Sequence, residues 1–302
     1  MWLPQLCLLG NVFESMSPLA FMRCVSPSNH KITLYHRISV IIPCYNQERF
    51  VTRAVRSVHN QGVTNVRAIV IDDNPNGHCA RAVANMNVLV LKNGYNRGLA
   101  ETRNRGAMAI ANVTDFWVFL DADDILAPGF FLRAARFLRR YDIITADQLL
   151  VDVNDRDEVT GVHRWRVRET HTLDSLRVEG TLPVPNIVRA SLLQAIGHFP
   201  SEMITGNEDY VTWIRSVEMN ARIKKLNMIG SCYSIRSTSM AHTHDHKTLS
   251  RSLMVSHRAS IHSTRDVCDA LQLIEANMND LAHAHALERS VARQPMQCSG
   301  WT

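Results

Sequence analysis

The segment that most constrains the fold is Phe116-Trp117-Val118-Phe119-Leu120, an unbroken apolar run that leads directly into Asp121-Ala122-Asp123-Asp124. A strand apolar at every position is buried on both faces, as in parallel sheets covered by helices on either side. The ends of such strands are where an open α/β sheet presents groups to a ligand. Three carboxylates gathered there repel one another unless a cation or hydrogen-bond donors compensate. Hard divalent ions take such oxygens and keep waters and substrate phosphate oxygens in their remaining positions. The segment is therefore read as a metal-diphosphate site. The plainer reading, an acidic cap on the next helix, needs only one acid.

The pattern around it is regular. Ile38 to Ile42 reads as a buried strand, followed by Phe50, Val51, Ala54, Val55 and Val58 at helical spacing. Val66–Ile71 is a second strand, Asn74-Pro75-Asn76-Gly77 a turn, Val88–Leu91 a third strand, and Leu99–Ala111 a helix leading to the acidic strand. Strands alternating with helices imply parallel units with right-handed crossovers, so the strand ends line one edge of one sheet. The fold class is α/β: a Rossmann-like single domain with a mostly parallel central sheet and a helical C-terminal tail. After Pro128 a helix turns Phe130, Phe131, Ala134, Phe137 and Leu138 inward and Arg133, Arg136, Arg139 and Arg140 outward. Ile143–Val153 and Val159–Val167 read as further strands. The tail from about His246 carries Val267, Leu271, Ile274, Met278 and Leu281 at helical spacing, a stripe that packs on its own domain or, in the sharper reading, joins two copies as a dimer. The organisation is thus a poorly defined segment 1–37, a domain 38–245 and a tail 246–302, with residues 38–128 as the ligand half and 129–245 as the acceptor half of the domain.

Composition excludes several classes. With 302 residues, 46% of them apolar, the chain can bury a full core. A net charge of +5 falls short of a nucleic-acid binder but favours an anionic small substrate. The seven cysteines are scattered with no C-x-x-C pair, which suggests neither a zinc site nor a disulfide framework, and a reducing cytosol is the simplest home. No run of about 18 apolar residues predicts a membrane span. Met1–Gly10 is apolar but lacks the basic region of a signal peptide, and Met16 or Met22 could be the true start.

Other groups fall on the same strand edge. The first strand ends in Pro43-Cys44-Tyr45-Asn46 and the second in Asp72-Asp73-Asn74, which offers an acceptor for a base N–H. A Gly-x-Gly-x-x-Gly turn is absent, which argues against a dinucleotide cofactor. Arg103, on the helix that Gly98 opens, can bring positive charge to the site. In Gly206-Asn207-Glu208-Asp209-Tyr210 an acid pair opens a helix, either as dipole compensation behind an Asn207 cap or with one carboxylate as a general base. Among His242, His244 and His246 one could reach the metal, although such a run is more often an exposed loop. Arg164, Arg166 and Arg168 alternate, so in a strand they share a face that could meet an anionic acceptor or protect an edge.

Taken together, VIIPCYN at 40–46, VIDDN at 70–74, NRGLAETRNRG at 96–106, LDADDILAPGFF at 120–131, IGHF at 196–199 and NEDYVTWIR at 207–215 resemble the family 2 glycosyltransferases of the GT-A fold. The likeness covers roughly residues 38–240. It implies an inverting transfer of a sugar from a nucleotide-diphosphate donor, a UDP-sugar first, to a hydroxyl of a glycan or lipid-linked acceptor, in cell-surface polysaccharide or glycoconjugate synthesis. By resemblance, Pro43, Tyr45 and Asp73 hold the base, Asp121 faces the ribose or sugar, and Arg103 serves the nucleotide side. Asp123 is the main ligand of Mg²⁺ or Mn²⁺ with Asp124 beside it, and Asp209 is the catalytic base with Glu208 its neighbour. Such an enzyme works in the cytoplasm or at the inner face of the membrane. The chain departs from the family at Asn74-Pro75-Asn76, where Gly-Ser is common, and at Asn207, where glycine is frequent. Two rivals are a haloacid-dehalogenase-type phosphatase, whose Asp-x-Asp normally follows the opening strand, and a non-catalytic domain that binds sugar nucleotides or carbohydrate.

Overall fold

The computed structural model describes residues 31–154, 159–173, 175–176, 182–202, 208–236 and 258–259; all lie in one compact unit, residues 1–262. Its centre is a parallel sheet of β1 (Ile32–Cys44), β2 (Val63–Asp72), β3 (Leu89–Lys92) and β4 (Phe116–Phe119), in the order β3-β2-β1-β4. Because β1 lies between β2 and β4, the chain leaves it in one direction first and returns on the other side later. The crevice at the C-terminal ends of β1 and β4 is therefore a topological switch point, the usual ligand site of such sheets.

Alternation along the strands divides the core in two. Val40 and Ile42 pack with Val51, Ala54, Val55 and Val58 of α1 (Glu48–His59) on one face. Ile41, Ile69 and Ile71 face α3 (Leu99–Ala109) on the other. Burying each such side chain stabilises the fold by about 1.5–3 kcal/mol. At Gly106 of α3 an added Cβ would lie 2.6 Å from Cγ2 of Ile41, so this glycine lets the helix lie directly on the sheet. The short α2 (His78–Ala82) follows β2 on the α1 side.

Beyond β4 the sheet becomes mixed. β8 (Ile187–Arg189) runs antiparallel to both β4 and β6 (Ile143–Val153). β6 also pairs in parallel with β9 (Ile223–Ile235) and antiparallel with β7 (Val159–Trp165). The two-residue β5 (Ile125–Leu126) pairs Ile125 with Cys232 and Leu126 with Ser231 on β9, which ties the acidic segment to the far half of the domain. Helices α4 (Phe130–Ala134), α5 (Ala190–Ala195) and α6 (Glu208–Glu218) complete the unit. No helix among the described residues is long and apolar enough to cross a membrane.

Five sequence expectations are revised. β1 begins at Ile32, not Ile38: Ile32 and Thr33 pair with Val63 and Thr64 across a bulge, and the exposed side chains of Ile32, Thr33, Tyr35 and Arg37 hid the pattern. The helix after Pro128 ends at Ala134, although Phe130, Phe131, Ala134 and Leu138 are buried as expected. β7 stops at Trp165, so the three arginines do not share a strand face, and Arg164 is held by Asp147 at 2.8 Å. Cys44 and Cys79 form a disulfide, joining residues 35 apart in sequence. Of the tail, only β10 (Arg258–Ala259) is described, and it pairs antiparallel with β7 as a strand, not a helix. The stripe from Val267 to Leu281 lies outside the described residues, as do 1–30.

Candidate active site

Asp121–Asp124 turns away from the end of β4 at the switch point. Arg103 of α3 is 2% exposed and joins two acids from distant parts of the chain. Its Nη2 donates to Asp121 Oδ1 at 2.7 Å, and its Nη1 donates to Oε1 of the equally buried Glu208 at the start of α6. Its guanidinium also lies 5.4 Å from the Phe199 ring centroid, and Phe199 packs edge-on against Phe119. Burial works against the charge on Arg103, but Asp121, Glu208 and Asp209 outweigh it and hold the group protonated. The sequence marked this arginine only as a source of positive charge for the site, and nothing local showed that it would be the hub between the acidic segment and the acid pair.

The two acids of α6 differ. Glu208 is committed to Arg103. Asp209 accepts the Tyr210 N–H at Oδ1, 2.8 Å away, within its own turn, and ion-pairs with no described cation at contact distance. Burial raises the pKa of Asp209 and Arg103 partly opposes the rise. A carboxylate with a raised pKa and one oxygen uncommitted suits proton removal. Residues 203–207, with the proposed Asn207 cap, lie outside the described residues.

Asp123 and Asp124 are neighbouring acids that burial and mutual repulsion disfavour in their charged forms. Burial, then Asp121, pushes Asp123 up to about 6. Burial, then Asp123 and Asp121, also raises Asp124 well above the ordinary aspartate value. Asp124 Oδ1 accepts the Ser234 N–H at 3.1 Å, while its Oδ2 is buried without a hydrogen-bond partner. The carbonyl of Asp123 accepts from Arg53 Nη2 at 2.7 Å and from Ser234 Oγ at 2.8 Å. Arg53 and Ser234 were not foreseen, because they come from α1 and β9, which only the folded sheet brings to the acids. Among the described residues no three His, Cys, Asp or Glu side chains form a group that could hold a metal ion alone. One or two buried, mutually repelling carboxylates with an orphaned oxygen still fit a hard dication whose other ligands are phosphate oxygens and water. His242, His244 and His246 lie outside the described residues.

On the other side of β1, Asp73 N donates to the Cys44 carbonyl at 2.9 Å, which brings Asp73 beside Pro43-Cys44-Tyr45. Its carboxylate accepts from Asn93 Nδ2 at 2.7 Å and from the backbone N–H groups of Arg97 at 2.9 Å and Gly98 at 3.2 Å. Asp72 caps the following turn instead, accepting from Asn74 N and Ala80 N. The disulfide fastens the end of β1 to the start of α2. The predicted base-side residues thus do gather at one end of the crevice, and the predicted acids at the other.

Residues 39–187 match the family model of glycosyl transferase family 2. A Haemophilus influenzae protein named as an uncharacterized glycosyltransferase is 28% identical over 36% of this chain and 35% of its own length. A succinoglycan biosynthesis protein of Rhizobium meliloti is 30% identical over 35% of each chain. The matched segment thus spans about a third of the length of these relatives. A crystal structure of Staphylococcus aureus TarS residues 1–349 in complex with UDP-GlcNAc superposes with a TM-score of 0.56 at 24% identity, over 80% of this chain and 72% of that one, a likeness of fold.

Proposed function

The chain belongs to glycosyltransferase family 2, and from that membership we propose that it moves a sugar from a nucleotide-diphosphate sugar to an acceptor hydroxyl with inversion at the anomeric carbon. The observation that carries this reading is the Arg103 hub, which unites an acid at the end of β4 with the acid pair of α6 at the switch point. It sets a leaving-group side and a base side within one cleft. The donor is a UDP-sugar, by analogy with the UDP-GlcNAc bound to TarS. The acceptor is a glycan or a lipid-linked glycan, in the kind of polysaccharide synthesis named for the Rhizobium relative.

The chemistry follows from the positions of the acids. The acceptor oxygen attacks the anomeric carbon as the bond from that carbon to the diphosphate oxygen breaks. Asp209 takes the acceptor's proton at Oδ2, since Oδ1 already accepts the Tyr210 N–H. Glu208 keeps Arg103 in place, and Arg103 orients Asp121 toward the donor. Asp123 and Asp124 would hold a cation such as Mg²⁺ or Mn²⁺, which would supply charge stabilisation to the departing diphosphate. One displacement inverts the centre, and no covalent nucleophile is required.

The test needs no acceptor. UDP-glucose, UDP-galactose and UDP-GlcNAc, all α-linked, are incubated with the protein and Mn²⁺, and proton NMR follows the first-formed sugar. Release of the β-anomer from one donor, lost with EDTA, is the expected outcome. Release of the α-anomer would contradict inversion, and no turnover of these donors together with phosphate release from a phosphomonoester such as p-nitrophenyl phosphate would favour the phosphatase reading.

A further inference from the structure

We propose that the base stacks on Tyr95 and Arg97, in a loop that Asp73 positions; the inference rests on the nucleotide-sugar reading above and deepens it. Asp73 keeps one acceptor site at Oδ2 for a base N–H, while three donors already hold its carboxylate in place. All come from one short stretch: the Asn93 side chain and the backbone N–H groups of Arg97 and Gly98. A buried carboxylate so used fixes the shape of a loop. That loop is further set by Gly94 at φ 77° and Gly98 at φ 83°, conformations that favour glycine, and by an Asn96 side chain that accepts the Gly98 N–H at 2.9 Å.

The rigid loop presents an unusual surface. Tyr95 is 57% exposed, yet its ring is covered on one side by the Arg97 guanidinium, 4.4 Å from the centroid. A stacked aromatic-guanidinium pair is a planar surface on which a base can stack, and such stacking tolerates any base. Tyr45, 44% exposed, rises from the adjacent loop, whose Cys44 carbonyl accepts the Asp73 N–H. Two exposed tyrosines thus flank Asp73 from separate loops. The distance from this loop to the acids is right as well. From the end of β3 to the end of β4 is three strand spacings, about 14 Å, a span on the scale of an extended nucleoside diphosphate. The diphosphate would lie against Asp123 and the base against Tyr95.

Calorimetric titration of the full chain with UDP and Mn²⁺, with uridine, and with inorganic pyrophosphate and Mn²⁺ tests this. Tyr95→Ala should weaken UDP and uridine by the same factor, about 5- to 100-fold, and leave pyrophosphate unchanged. Tyr95→Phe should restore binding, because the ring and not the hydroxyl is used. Melting curves check that each variant stays folded. Equal UDP affinity in wild type and Tyr95→Ala overturns the inference, as does a parallel loss of pyrophosphate binding. A wild-type chain that binds none of the three would remove the donor reading itself, and the inference with it.

Discussion

Arg103→Met probes the network that holds the acids of the cleft together. The guanidinium is buried and serves Asp121 at 2.7 Å and Glu208 at once. Methionine keeps an apolar stem against Phe199, so the substitution removes charge more than packing. Removing one partner of a buried ion pair costs about 3–5 kcal/mol, since the remaining charge is left uncompensated. At roughly 2–4 °C per kcal/mol for a domain of this size, Tm should fall by roughly 6–20 °C near pH 7.5. The loss should depend on pH. Burial raises the pKa of Glu208 and Arg103 opposes the rise, so without Arg103 the folded-state value climbs further above the unfolded one. Such an acid destabilises the fold only while it is ionised, and the penalty disappears as pH falls through its folded-state pKa toward the unfolded value. The deficit should therefore shrink between about pH 7.5 and pH 5. Adding Glu208→Gln should return part of the lost stability, because the two residues are directly coupled. Circular-dichroism melts of the single and double variants at both pH values provide the measurement. A deficit that is equal at both values and unrelieved by the second substitution would refute the reasoning.

Asp209→Asn should lower the rate of donor hydrolysis by ~10²–10⁴-fold with little change in donor affinity, and in the wild type the acidic limb of the rate profile should lie above the ordinary aspartate range. Steady-state kinetics across pH check both, and full activity in Asp209→Asn would reduce the acid pair to a helix cap. Asp123→Asn should raise Tm near pH 8, because a carboxylate pushed up to about 6 by burial and by Asp121 destabilises the fold while charged. The gain should shrink as pH falls through about 6 and disappear only below the unfolded aspartate value of roughly 4, and a gain that stayed constant from pH 8 to that range would contradict the cause given. Reducing the Cys44–Cys79 bridge with a dithiol should cost about 4 kcal/mol for its separation of 35 residues and lower Tm by roughly 8–16 °C. An unchanged melt after mass spectrometry confirms two thiols would show that the loops hold without the bridge.

The strand edge was legible in the sequence because its signals are local. An apolar run at 116–120, the helical spacing at 50–58 and the turn at 74–77 each report a segment's own burial, and β1 to β4 followed in the expected order. What could not be read depends on contacts distant in the chain. Arg53 meets the Asp123 carbonyl across 70 residues and Ser234 meets Asp124 across 110. No spacing rule announces such pairs. The disulfide was missed for the same reason: β1 and the start of α2 become neighbours only when the second crossover closes. Arg164 looked like part of an acceptor-facing stripe until β6 placed Asp147 beside it. Asp73 stood out at the end of the second strand, but its donors come from a loop whose shape depends on two positive-φ glycines.

The account stands most directly on UDP binding measured with and without Mn²⁺ for the wild type, Asp123→Asn and Asp209→Asn. Wild type and Asp209→Asn should bind UDP with an affinity that rises when Mn²⁺ is added, while Asp123→Asn should lose that metal-dependent increment and stay folded. UDP affinity that ignores Mn²⁺ in the wild type, or a Mn²⁺ increment that survives in Asp123→Asn, would contradict the assignment of the acids at the end of β4.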